Sequence, residues 1–215
     1  SNTDLWEQTN LVDSAAQVQA YVQNSSVDAV GALRVTATSD QGIDALTIAG
    51  AATVSGAGVG VSVSGAGVTA VNKVTTHVRA YIDGDLAAGI SAGSILVQAS
   101  DTSRINAITG MASLADSGAG VGVAVAVGVA VAHNEISNEV AAFIIHADDV
   151  STANLGDIVV AAFESATINS LTAAASLTAG FGGVGVAVGV AGAVATNVIL
   201  TDTSAAVEQS TVDSG

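Results

Sequence analysis

Residues 121–132 read VGVAVAVGVAVA, a run in which valine alternates strictly with glycine or alanine. Because a β-strand directs successive side chains to opposite faces, the run predicts a strand with valine on one face and only small residues on the other. Neither face is polar, which is typical of a strand covered on both sides. We expect the valine face to form an ordinary core and the small face to allow an unusually close second layer.

This run belongs to a cassette that occurs three times, in residues 55–82, 117–144 and 180–207. The asparagine after each run recurs 62 residues apart from Asn72 to Asn134 and 63 residues apart from Asn134 to Asn197. Fixed-period self-similarity is the signature of an architecture in which each repeat stacks on its neighbour. The spacing is compatible with one wide coil per period or with about three coils of roughly 20 residues.

The remainder of each period contains strand-like segments that align from copy to copy: residues 33–38, 95–100 and 158–163; residues 43–54, 105–114 and 168–177; residues 18–22, 78–82 and 140–144. Turn signals lie between them at residues 83–85, 89–93, 116–118 and 147–149. No proline interrupts a ladder anywhere in the sequence. A strand over residues 120–132 would be about 43 Å long, so we expect a bend or bulge, with Gly65 and Gly67 as candidates.

The sequence therefore predicts an all-β fold, a repetitive β-solenoid resembling a parallel β-helix, with a repeat of about 62 residues. We expect a single repetitive β domain over residues 1–215. It comprises a partial copy at 10–22, full copies at 23–82, 83–144 and 145–207, and a tail at 208–215. The alternative interpretation of the alanine-rich residues 171–177 is a helix.

A transmembrane helix is a further alternative, because residues 180–200 are uncharged and long enough to cross a bilayer. Glycine and valine form helices poorly, and the hydrophobic period is two instead of 3.6. We therefore expect no transmembrane span. The formal net charge of -15 repels phosphate groups, so we also expect no nucleic-acid partner and no attraction to anionic lipid.

The glycine- and valine-rich run, the asparagine after it and the endings VRAYI and VAAFI resemble the β-strand-repeat segments of giant bacterial secreted proteins. These include surface adhesins and filamentous-haemagglutinin-like and leukotoxin-like exoproteins. The likeness covers roughly residues 10–207. It implies an extracellular or cell-surface location and a structural role as stalk, adhesin body or self-assembling fibre, and it supplies no catalytic residues. The calcium-binding GGxGxD nonapeptide of neighbouring exoprotein families is absent from the sequence.

Few residues suggest chemistry. His77 aligns with Glu139 and His133 with Thr196, so neither histidine recurs, and the glycine run at residues 56–60 lacks a nucleotide-binding pattern. The chain has no cysteine. The acids of two turns are either solvated side chains or candidate calcium ligands, because calcium takes carboxylate oxygens from loops. These acids are Asp83, Asp85, Asp148 and Asp149.

We therefore expect a structural segment without catalytic activity or a required cofactor, which associates end to end through its open strand edges. The alternative is a calcium-assisted module that binds a glycan or another cell-surface partner. The third hypothesis is a membrane-active exoprotein fragment whose strands insert into lipid. A uniform rod in the microscope, calcium-dependent melting and liposome leakage distinguish the three.

Overall fold

The computed structural model describes residues 14–56, 58–153 and 156–215, and its regular structure consists of β-strands. In chain order these are β1 (Ala16–Gln23), β2 (Val27–Ser55), β3 (Val59–Asp83), β4 (Ile90–Gly118), β5 (Val121–Ile145), β6 (Val150–Thr152), β7 (Ile158–Phe181), β8 (Val184–Glu208) and β9 (Val212–Asp213). The all-β prediction is confirmed. The alternative helix at 171–177 is wrong, because these residues lie within β7. Residues 10–13 of the partial copy lie outside the described residues.

The strands form two parallel sheets. We call them sheet A, with the order β1-β3-β5-β8, and sheet B, in which β2 pairs with β4, β4 pairs with β6 and β7, and β6 pairs with β9. One long strand of sheet B and one of sheet A complete a turn of the chain. Each period is therefore one wide, flattened coil, and the β-solenoid prediction is confirmed.

Register between coils follows the sequence period. Leu33 pairs with Ile95 and Ile95 with Ile158, while Val78 pairs with Val140. All three sets of aligned segments therefore lie one above another in register. The predicted bulge at Gly65 and Gly67 is wrong, because β3 pairs with β5 continuously from Val59 to Asp83. A parallel neighbour of the same length on its flank keeps this long strand in a regular ladder. A register shift does occur in β2, between Ala29 and Ala32.

The prediction that the valine face of residues 121–132 forms the core is wrong, because this face lies on the outer surface. Ala124 and Ala126 point inward and are fully buried, whereas Val129 is 47% exposed. The reason is the small separation of the two sheets at the end of the coil where β3 and β5 begin. The hydroxyls of Thr53 and Ser62 lie 2.8 Å apart across the interior, a space that only small residues fit.

Bulkier residues fill the opposite end of the coil, where β3 and β5 end. Ile82, Ile90, Ile95 and Ile144 are almost completely buried there, in one cluster with Val97. The interior therefore grades from isoleucine and valine at this end to glycine, alanine and serine at the other. We call the end of the coil with the bulkier interior side chains the wide end.

The corner at the wide end has the same backbone in every coil. Asn24, Gly84, His146 and Gln209 each follow the last paired residue of a sheet A strand, and all have positive φ, from 44° to 74°. The predicted turns at 83–85 and 147–149 are confirmed. The predicted turns at 89–93 and 116–118 are wrong, because all of these residues except Gly89 lie within β4, which runs from Ile90 to Gly118 and pairs with β2 along its length.

Candidate functional site

The contacts that recur from coil to coil are the first candidate for function, and the inward-facing asparagine column is the clearest of them. Asn72 Nδ2 donates to Asn134 Oδ1 at 2.7 Å, and Asn134 Nδ2 donates to Asn197 Oδ1 at 2.8 Å. Asn134 is fully buried and also lies 3.1 Å from the Ser170 hydroxyl. Each amide thus satisfies its neighbour in the next coil, as in a stacked asparagine ladder.

A second column is aromatic and lies on the outer surface of sheet A. The ring centroids of Tyr21 and Tyr81 are 5.2 Å apart, and those of Tyr81 and Phe143 are 4.9 Å apart, with nearly parallel planes. The column follows from register, because Tyr21 pairs with Tyr81 and Tyr81 with Phe143. Stacked rings add to the backbone ladder along the coil axis.

A third column was not foreseen from the sequence. Asn106 Nδ2 donates to Asp44 Oδ1 at 2.7 Å, and Asn169 Nδ2 donates to Asn106 Oδ1 at 3.0 Å, both on the outer surface of sheet B. The signal was present, since each residue directly follows one of the aligned isoleucines. Asn106 and Asn169 line a shallow groove of about 530 Å³ beside Ile108 and Leu171.

The four candidate calcium ligands lie in two stacked turns at the wide end. Asp85 accepts hydrogen bonds from the backbone N–H groups of Asp148 and Asp149, at 3.1 and 2.9 Å. Asp83 accepts from Gln23 at 2.9 Å and lies 3.1 Å from His146 Nδ1. The turns are therefore brought together, with the carboxylates of the earlier turn already occupied by donors of the chain.

These donors also set the charge of Asp83. The hydrogen bond from Gln23, together with the hydrogen bond and charge of His146, holds the pKa of the Asp83 carboxyl below its usual range. Within the described residues, no three side chains of histidine, cysteine, aspartate or glutamate cluster as a metal would require. The calcium hypothesis stays a prediction.

Replacing Asp85 with alanine should lower the free energy of unfolding by about 1–2 kcal/mol, because two backbone N–H groups lose their acceptor. Asp148→Ala is the matched control, since its exposed side chain leaves the backbone bond to Asp85 in place. Urea unfolding with and without calcium measures both the loss of stability in each variant and any gain in stability from calcium. Equal costs for the two variants would contradict the structural role, whereas a calcium-dependent gain lost in Asp148→Ala would support calcium binding.

The histidines behave as surface residues paired with acids. His77 lies opposite Glu139 in the register and His133 opposite Thr196, as the sequence alignment predicted. His77 lies 3.9 Å from Glu139 and His133 lies 3.8 Å from Glu135. These pairs reinforce the outer surface of sheet A and do not converge on one point.

A buried polar cluster around Asp101 was missed in the sequence. Asp101 on β4 is 1% exposed and accepts from the Ser103 hydroxyl at 2.6 Å and from Asn138 Nδ2 at 2.8 Å. Asn138 Nδ2 also lies 3.1 Å from Glu164 Oε1, and Asn138 Oδ1 accepts from the Thr76 backbone N–H. An acid at an inward position of an apolar strand was the available signal.

Comparison with protein-family models, with curated proteins and with solved structures finds no match to this chain. In the part of the chain that the structure describes, no helix has the length and apolar character needed to cross a membrane. The functional argument therefore depends on the geometry of the stacked coils.

Proposed function

We propose that this chain is a segment of an extracellular or bacterial cell-surface fibre, a stalk or adhesin body without catalytic activity. Its mechanism is the addition of one coil to another through backbone ladders and columns of like side chains. The register supports this role, because equivalent positions of successive repeats pair with each other in adjacent coils. The inner asparagine column, the aromatic column and the outer column of Asp44, Asn106 and Asn169 then repeat similar contacts along the axis.

The observation that carries the proposal is the solvent exposure of apolar side chains in the last coil. Ile136 on β5 is fully buried, whereas its register partner Ile199 on β8 is 47% exposed. Side chains on both faces of β8 are exposed at nearly every position of the strand. A further coil on this side would bury these apolar side chains and pair the free edge of β8, which is the driving force for end-to-end association.

An engineered disulfide tests the geometry of association, and the absence of cysteine from the sequence makes the experiment clean. Thr36, Gln98 and Ala161 occupy one outer column of sheet B. In one molecule, positions 36 and 161 are two strands apart, about 9.6 Å, which is too far for a disulfide. Direct addition of β2 of the next copy to β7 would place position 161 of one copy beside position 36 of the next, within bonding range. In this stack β1 of the next copy and β9 of the first must move aside, because residues 201–208 of β8 already occupy the position of β1, and β9 already occupies that of residues 27–28.

The double variant Thr36→Cys with Ala161→Cys should therefore form covalent oligomers upon oxidation, seen as a ladder on a non-reducing gel. The matched control pairs Thr36→Cys with Ala175→Cys, which lies in the same strand but about 46 Å along it. That control should stay monomeric. Cross-linking that is absent in both variants, or equal in both, would contradict in-register stacking.

A further inference from the structure

Two carboxyl groups lie side by side in the interior of the solenoid. Asp101 on β4 and Glu164 on β7 are register partners in adjacent strands, about 4.8 Å apart along the coil axis. Asn138 of the opposite sheet donates toward both of them. Asp101 Oδ1 and Glu164 Oε2 remain buried and without a hydrogen-bond partner. Two ionised carboxylates in this position would repel each other, and each would keep an unsatisfied oxygen.

None of the basic side chains in the sequence neutralises the pair. The sequence contains four lysines and arginines and three histidines. Arg34 is exposed, and the other six lie within 4 Å of acids elsewhere, as Lys73–Glu135, Arg79–Glu139, Arg104–Asp40, His77–Glu139, His133–Glu135 and His146–Asp83.

The inward positions around the pair are uncharged. Ser39 on β2 is the other register partner of Asp101, while Asn138 on β5 is flanked in its column by Thr76 on β3 and Thr201 on β8. Ser103 is the remaining contact of Asp101. Charged residues of the neighbouring strands, Asp40, Arg79, Arg104, Glu139 and Asp202, occupy outward positions.

We propose that Asp101 and Glu164 bind one proton from solvent and share it at neutral pH, with the Glu164 hydroxyl donating to Asp101 Oδ1. One O–H···O bond then satisfies both unpartnered oxygens and leaves a single negative charge on the pair. Ser103 and Asn138 stabilise that charge, because both donate to Asp101 Oδ2. Burial acts in the same direction, since it raises the pKa of the Glu164 carboxyl above its usual range.

A shared proton makes the fold sensitive to pH. Because the folded pKa of Glu164 lies above its usual value of 4.5, the stabilisation is complete below that value and is lost as pH rises through the folded pKa. Asp83 acts in the opposite sense, because its lowered pKa favours folding above its usual range and the benefit is lost in acid. Together these two groups should make the solenoid most stable in mild acid, between the usual pKa of the Asp83 carboxyl at 3.8 and that of the Glu164 carboxyl at 4.5.

Glu164→Gln is the decisive variant, because its amide N–H can donate to Asp101 as the protonated carboxyl would. We expect the variant to melt about 2–4 °C above the wild-type chain at about pH 8, and the difference to shrink at about pH 5. Asp202→Asn is the matched control, since it removes a carboxylate from an exposed position of β8. A Glu164→Gln difference that does not change with pH, or one no larger than the control's, would overturn the proposal.

Infrared difference spectra report the protonation of the carboxyl pair directly. The wild-type chain should show the carbonyl band of a protonated carboxyl at neutral pH, and Glu164→Gln should lack it. The competing occupant is a cation, so the melts are repeated after chelation and with added sodium, magnesium or calcium. An ion-dependent melting temperature that is lost in Glu164→Gln, without a protonated-carboxyl band, would replace the proton by a cation.

Discussion

Asn134→Ala should lower the free energy of unfolding by about 2–3 kcal/mol, the largest effect that we expect from a single polar substitution. The amide of Asn134 accepts from Asn72 and donates to Asn197 and Ser170 in a fully buried position. Alanine would remove these bonds and leave the half-buried Asn72 donor without an acceptor. Because the hydrogen bonds join three successive coils, the loss would weaken stacking on both sides of β5.

The matched control is Asn106→Ala in the outer column with Asp44 and Asn169. This column has the same one-residue-per-coil geometry and similar hydrogen-bond lengths, but it is open to solvent. Water replaces the lost bonds there, so the cost should be about 0.5–1 kcal/mol. Urea unfolding of both variants gives the comparison. If Asn106→Ala costs as much as Asn134→Ala, burial of the amide is not what makes the inner column strong.

Ala124→Leu should destabilise the chain by about 3 kcal/mol or more, because it forces a large side chain between closely packed sheets. Ala124 is completely buried on the inner face of β5. At the neighbouring inward position, a Cβ added to Gly122 would lie 2.9 Å from the Ser117 hydroxyl. The interior has no room at this end, so Gly122→Val should be damaging for the same reason.

Val123→Ile is the control for overpacking, since its side chain lies on the outer face of the same strand. The added methylene extends toward solvent, and the free energy of unfolding should change by less than about 0.5 kcal/mol. Thermal and urea unfolding of the Ala124, Gly122 and Val123 variants measure this asymmetry between the two faces. Equal destabilisation from the two faces would show that the sheets are not closely packed where the structure places them.

The register of the fold was predictable because each column of the solenoid appears in the sequence as a spacing. Asn72, Asn134 and Asn197 are 62 and 63 residues apart, and a shift of one residue would turn every inward side chain outward. The alignment of Val18 with Val78 and Val140 depends on the same constraint and is confirmed. Repetition thus supplied long-range pairing information that a non-repetitive strand lacks.

The interior carboxyl pair was not predictable in the same way. Ser39, Asp101 and Glu164 occupy one column but share no residue type, so the repeat does not mark them. Their proximity matters only because β4 and β7 are adjacent and because Asn138 reaches them from the opposite sheet. The chemistry of this group arises between coils and across sheets.

The amino-acid sequence by itself determined the all-β class, the period of about 62 residues and the pairing of like positions, because a period-two pattern and fixed spacing act along the chain. Only the tertiary structure decided that each period is one flattened coil and that Val129 faces outward while Ala124 faces inward. Both faces of that strand are apolar, so hydrophobicity could not choose between them. The choice came from the distance between two sheets, which admits alanine and excludes valine.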